Sequence, residues 1–183
     1  MEDERSWHHR PVFRRSRIER RVDRALASGD TLAVRTLLLN GDEDERFVAA
    51  NRLFALMSEL QSPVKEAVGA ELLRVARDDP SDDVRSQALL GLEGVDTEES
   101  RQVLLDALAE PDLVWFACVP LGRLKEARAV PRLIEYLSEQ TDDDISGRLV
   151  GGALLDIGTP EALRFLREHP KCLPRDMRHK LDV

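Results

Sequence analysis

The sequence predicts an all-α solenoid, and three observations point to it. Leu (28) and Ala (17) are abundant while Ile (4) and Tyr (1) are scarce, so helix formers far outnumber the β-branched and aromatic residues that suit strands. Helix-start signals recur along the chain, each followed by an apolar face of helical period. Leucines then repeat at intervals near 30 residues. The length, 183 residues, fits one domain of roughly 150 residues with an appended arm. A fold of this size buries about 70% of its unfolded surface and needs no metal or disulfide to hold it.

The elements follow in order. Residues 1–15 read as an irregular, Arg-rich arm broken by Pro11. Ser16 starts a helix with Ile18, Val22, Ala25 and Leu26 on one face, and Gly29 stops it, since Gly tolerates the left-handed closing conformation. Asp30 caps a short helix through Leu39, ended by Gly41. Asp42 and Glu45 have capping-box spacing ahead of a stripe of Phe47, Ala50, Leu53, Phe54, Met57 and Leu60. Ser62-Pro63 starts the next helix, with Pro expected at the first helical position, where its missing N–H costs nothing. Ser81-Asp82-Asp83, Thr97-Glu98-Glu99, Pro111-Asp112 and Thr159-Pro160-Glu161 mark further starts, each placing a cap or a carboxylate at the positive end of a helix dipole. The count is ten helices and no convincing strand, joined by connectors short enough to require antiparallel neighbours.

The pairs repeat. Val95, Leu104 and Leu105 match Leu124, Leu133 and Ile134 at an offset of 29, and Leu121, Leu124 and Leu133 match Leu154, Ile157 and Leu166 at 33. Leu72-Leu73 matches Leu104-Leu105 at 32. Two helices in a period near 30 is the signature of a helical solenoid, in which stacking buries a face that no pair can bury alone.

Asp78–Val95 (DDPSDDVRSQALLGLEGV) resembles the first helix of a HEAT-like repeat, of the short kind seen in phycobilin-lyase relatives. Leu121–Leu137 and Leu154–Leu166 resemble its turn and second helix. The resemblance covers about Asp42–Pro170. It implies a right-handed α-solenoid of about five antiparallel helix pairs whose second helices line the concave face. The expected organisation is an arm over 1–15 and one repeat domain over 16–183. Within the domain, 16–41 form a capping pair, 42–170 four HEAT-like pairs and 171–183 a tail. Only Val84-Arg85 keeps the family's Val-Arg pair; Leu113-Val114 and Gly147 stand at the later places. An incomplete Asp/Arg ladder is expected. Gly147, Gly151 and Gly152 make the last first-helix the softest expected element.

Catalytic constellations are missing from the sequence. Cys118 and Cys172 lie 54 residues apart with no CxxC pair, which excludes a disulfide framework and fits a reducing, cytoplasmic setting. His8, His9, His169 and His179 form no His-Glu pair, so no metal is expected. No nucleophile elbow, Walker loop or GxGxxG occurs. The expectation is no catalytic residue and no cofactor, with Cys118 a buried packing residue and Cys172 in an exposed tail. The first residues hold no apolar signal core, and no run approaches a membrane span.

Charge separates two surfaces. The net charge is −8; residues 25–183 hold 19 basic and 30 acidic residues, a body that phosphates repel. A match to HEAT-like DNA glycosylases, suggested by Asp112 and Trp115, is therefore disfavoured. Residues 5–24 carry eight Arg against two acids, and Arg17, Arg20, Arg21 and Arg24 share a helical face. That face is either a solvated cap docked beside the acidic body or a contact for nucleic acid or another acidic partner.

Trp115 stands where sister repeats carry Ser86 and Arg148, and is expected to meet solvent or a partner. Arg74, Asp106, Glu135 and Glu168 form one second-helix column, Gln102 and Arg164 another, with Arg132 and Tyr136 nearby. The expected partner surface is thus Trp115, Tyr136, Arg132, Asp106, Glu135 and Arg74. The functional expectation is a non-enzymatic scaffold or adaptor binding a protein partner, an immunity-type bacterial protein being one form of it. The alternatives are a lyase-type or base-modification enzyme on the same repeats, and binding through the basic helix.

Overall fold

The computed structural model describes residues 12–139 and 145–181. Among them lie ten α-helices and no strand: α1 Val12–Ser28, α2 Thr31–Asn40, α3 Glu43–Leu56, α4 Val64–Asp78, α5 Asp82–Gly91, α6 Glu98–Ala107, α7 Val114–Arg123, α8 Val130–Glu139, α9 Ile145–Ile157 and α10 Pro160–Glu168. The caps are largely those the sequence announces. Asp30, Asp42 and Thr159 each accept from the backbone N–H three residues on, and Thr97 forms a full capping box with Ser100. Gly29 closes α1 at φ +69°, a conformation that a Cβ would strain.

Three boundaries differ from expectation. Helix α1 begins at Val12, four residues before Ser16. A proline just ahead of a first turn is compatible with helix, and Arg14 and Arg15 reach partners on α3. Pro63 is the N-cap of α4 rather than its first helical residue, following a cis Ser62–Pro63 bond. The tail is packed, not loose: 3₁₀ turns at Pro170–Cys172 and Arg175–Leu181 bury Leu173 and Leu181. The first eleven residues of the arm, with His8 and His9, lie outside the described residues.

Consecutive helices pair, and the pairs stack into two rows. The first helices α1, α3, α5, α7 and α9 pack successively on one another. The second helices α2, α4 and α6 do the same, as do α8 and α10. The core runs between the rows, and the equivalent leucines Leu72, Leu104, Leu133 and Leu166 all lie in it at 0% exposure. The fold is an all-α solenoid of five antiparallel helix pairs.

Close approach within the first row is made by small residues. A Cβ on Gly122 of α7 would stand 2.9 Å from the Ala153 Cα of α9. One on Gly151 would collide with the Cys172 carbonyl oxygen of the tail. Gly151, expected to soften α9, is therefore what lets the tail close over it.

Candidate interaction surface

Ion pairs tie neighbouring pairs together, and they define which surfaces are left to bind anything else. Arg46 of α3 reaches Asp79, ahead of α5, through Nε at 2.7 Å and Nη2 at 3.1 Å. Arg85 of α5 grips Glu110, ahead of α7, with Nη1 at 3.0 Å and Nη2 also in contact. The ladder thus has one rung more than expected. Arg46 stands three residues before Ala49 as Arg85 stands before Ala88, but Glu45 replaces the preceding Val, so a search for Val-Arg passes over it. Val114 takes the next ladder position.

A second tie lies between α6 and α8. Glu126 is buried at 7% exposure in the turn before α8. It accepts from the Arg128 backbone at 3.1 Å, the Arg128 Nε at 2.9 Å and Arg101 at 3.1 Å. Arg128 also holds Glu98 at 2.7 Å, and Arg101 holds Asp96 at 2.7 Å. Hydrogen bonds from Arg128, then those from its backbone and Arg101, hold the Glu126 carboxyl down at about 2 against its desolvation.

The basic helix is occupied in part. Arg14 pairs with Asp42 and Asp44, Arg21 with Glu45 at 2.6 Å, and Asp23 with Arg52 at 2.7 Å. The acidic first turn of α3 is thus the local counter-charge to α1. Arg20 donates to the Ser16 carbonyl at 3.1 Å; Arg17 and Arg24 point outward without an ion pair among the described residues.

The charged second-helix candidates find partners on their own helices. Arg132 pairs with Glu135 at 2.7 Å and donates to the Leu108 carbonyl at 3.2 Å. Asp106 accepts from Gln102 at 2.8 Å. Arg74 stands 3.8 Å from Glu71. Tyr136 is half-buried against the core.

The first-helix row offers a different surface. Trp115 is 37% exposed on α7 and lies against Phe116, ring centroids 3.6 Å apart. Phe54 of α3 is equally exposed; it sits one residue past buried Leu53, about 100° around the helix, and so leaves the stripe the sequence assigned it to. Leu90, Phe116, Val119 and Leu149 are half-buried at neighbouring register positions. The sequence signal for this row is the alignment of Trp115 and Phe116 with Ser86 and Gln87. The remaining members look like core positions until the packing is seen.

Neither thiol is activated. Cys118 is fully buried, its Sγ donating to the Trp115 carbonyl at 3.3 Å, and burial pushes it up to about 12. Desolvation raises Cys172 as well; its half-burial replaces the exposed position expected of it. His169 stacks on Phe165 at 4.4 Å. Among the described residues no group of three or more His, Cys, Asp or Glu side chains could hold a metal ion. No described helix is long and apolar enough to cross a membrane.

With stacked helix pairs and two ladder rungs in place, the comparison with known families is direct: the family model for HEAT repeats matches residues 69–150. Over that stretch the chain carries HEAT-like repeats. The matched stretch runs from α4 into α9 and contains the Arg85–Glu110 rung, the Glu126 network and Trp115. No curated protein matches the chain. HEAT repeats serve generally as protein-interaction scaffolds.

Proposed function

We propose that this HEAT-like chain is a non-enzymatic interaction module that binds a protein partner on its repeat surface, as an adaptor or an immunity-type protein. The observation that carries this reading is the set of partly exposed apolar side chains on the first helices, with Trp115 exposed on α7. Large aromatics that sit partly exposed among half-buried neighbours are typical interface anchors. The shifted titrations have structural causes. They belong to ion-paired arginines, to Glu126 within its network and to the two cysteines held by burial. Tyr136, with Arg132, Asp106, Glu135 and Arg74 around it or along its row, forms a secondary surface on the second helices.

Affinity capture from the native host followed by mass spectrometry tests this, using the wild type and variants at each surface. Trp115→Ala should weaken the captured partner about 30-fold, a loss of about 2 kcal/mol. Tyr136→Ala reports on the second surface in the same way. Neutralising Arg17, Arg20, Arg21 and Arg24 should act mainly at low salt. If that variant loses the partner at all salts while both aromatic variants keep it, the basic helix is the site.

A further inference from the structure

The two ends of the solenoid are finished differently. At one end the tail packs over α9 and buries Leu173 and Leu181. At the other, no helix pair precedes α1 and α2 among the described residues, and a groove of about 490 Å³ lies between them. Asp23 marks the flank of α1 that faces α3, since Arg52 holds its carboxylate at 2.7 Å. Arg35 marks the flank of α2 that faces α4, where it meets Glu71 at 3.4 Å. The groove residues Arg24 and Ser28 on α1, and Thr36 and Ala33 on α2, lie about 100–160° around their helices from those markers. Both helices thus turn the groove away from the next pair.

The floor of the groove is apolar: Ala25 and Leu37 are buried and Ala33 is half-buried. Leu32 stands on its rim at 69% exposure, the most exposed large apolar side chain among the described residues. The Ser28 and Thr36 hydroxyls donate to carbonyls of their own helices. Arg21, at the edge, reaches back to Glu45 in the first turn of α3 at 2.6 Å. Two charged groups remain for an outside partner. The Arg24 guanidinium has no ion pair among the described residues. Asp30 gives Oδ1 to the Ala33 N–H at 3.0 Å and, being exposed, keeps Oδ2 for another donor. Arg20 and Arg17 continue the basic flank one and two turns further up α1, outside the groove. One surface thus carries a cation, an anion, an apolar knob and an apolar hollow.

We propose that this end of the solenoid docks on the same end of a second copy of the chain about a two-fold axis. Leu32 of each copy enters the other's groove, and Arg24 of each pairs with Asp30 of the other. A two-fold contact requires a surface that complements itself, and a groove holding both knob and hollow, and both signs of charge, meets that requirement. A peptide of one sign would satisfy only one of the two charges. With the α1 helices antiparallel across the axis, the two Arg17 side chains fall on opposite sides of it. Each then lies about 10 Å from Arg24 along the helix, so the two are about 20 Å apart, beyond the roughly 8 Å over which salt screens them. At about 1.5 Å per residue α1 is about 25 Å long and α2 about 15 Å, and side by side they are about 20 Å wide. Such a face buries on the order of 800–1,000 Å² over both copies, short of the roughly 1,200 Å² of stable complexes, so the dimer is weak and concentration-dependent. The contact uses neither Trp115 nor the second-helix row, and stands or falls independently of the interaction reading above.

Sedimentation velocity of the full chain tests this, at about 0.15 M salt to damp the repulsion between two chains of net charge −8. A reversible monomer–dimer equilibrium is expected between about 1 μM and 0.5 mM protein. Leu32→Glu and Arg24→Glu should each raise the dissociation constant at least about tenfold, with circular dichroism and melting those of the wild type. Leu32→Glu puts a carboxylate in the first turn of α2, where the helix dipole favours it, so its effect is not one of unfolding. Asp30→Lys should weaken association as well. Arg24→Glu mixed in equal amount with Asp30→Lys should recover the dimer, because each new charge then faces an opposite one. A wild type that stays monomeric to about 0.5 mM overturns the proposal. So do unchanged dissociation constants in both Leu32→Glu and Arg24→Glu, or a mixture of folded charge variants that associates no better than either alone. A native partner lost by Leu32→Glu from a chain that never self-associates also overturns it, and assigns the groove to that partner.

Discussion

At the junction of the second and third helix pairs, Arg46 and Asp79 meet as a bidentate ion pair, with the Asp79 side chain only 4% exposed. At the junction of the fourth and fifth, Gly122 lies against the backbone of Ala153. The same fold thus joins its repeats in two ways, by charge at one place and by close contact at the other. The sequence change between them is small: Arg at the ladder position becomes Val114 in α7. At the junction between them, of the third and fourth pairs, charge is used twice, by Arg85–Glu110 and by the Glu126 network. Loss of a ladder arginine is tolerated where a neighbouring helix can come closer.

Breaking the charged junction should have the largest effect. Arg46→Met leaves the Asp79 carboxylate buried without its partner and should cost roughly 3–5 kcal/mol in denaturant unfolding. Replacing both residues by apolar ones of similar volume should recover much of that loss; if the double variant is no better than the single, the pair is not the tie described.

Glu126→Gln should cost roughly 1.5–3 kcal/mol, the range for hydrogen bonds to charged groups. The folded carboxyl sits near 2 and the ordinary value near 4.5, so its stabilisation is complete above about pH 4.5 and drains away as pH falls towards 2. Unfolding midpoints of wild type and Glu126→Gln should therefore converge across that window. Parallel curves would show that the carboxylate is not held by its arginines.

The contact junction is sharpened by one substitution made at two glycines. Gly122→Ala puts its methyl into the Ala153 backbone and should destabilise by about 1–3 kcal/mol despite the better helix former. Gly152→Ala meets nothing and should stabilise by up to about 1 kcal/mol. Opposite signs, read by chemical denaturation, distinguish packing from propensity. Equal signs would remove the distinction between the two sites.

Much of the architecture is legible in the sequence. The leucine register placed Leu72, Leu104, Leu133 and Leu166 at equivalent positions, because a core shared by every repeat imposes the same residue at the same place. Thr97 and Thr159 announced their caps for the same local reason. What joins one repeat to the next was harder to read. Arg46 meets Asp79 across 33 residues, and the counter-charges of Arg14 and Arg21 lie on another helix; no local pattern encodes such pairs. Phe54 looked like core because period alone cannot separate a residue facing the core from one a third of a turn away. The two adjacent glycines of α9 differ for a related reason. Gly151 and Gly152 are identical letters, and only the tail's position makes one obligatory and the other open.

The stacking of each pair on its neighbours has a consequence for how the protein comes to be folded. Contacts that build the core link residues about one repeat apart in sequence, so no ladder of distant segments has to find its register. Helical arrays of this kind have low contact order and fold in roughly microseconds to milliseconds, and structure can start at any repeat and spread. The earlier helix pairs can therefore be consolidated while later ones are still leaving the ribosome, which adds only about 5–20 residues each second. Each new pair then meets a ready-made surface rather than an open chain.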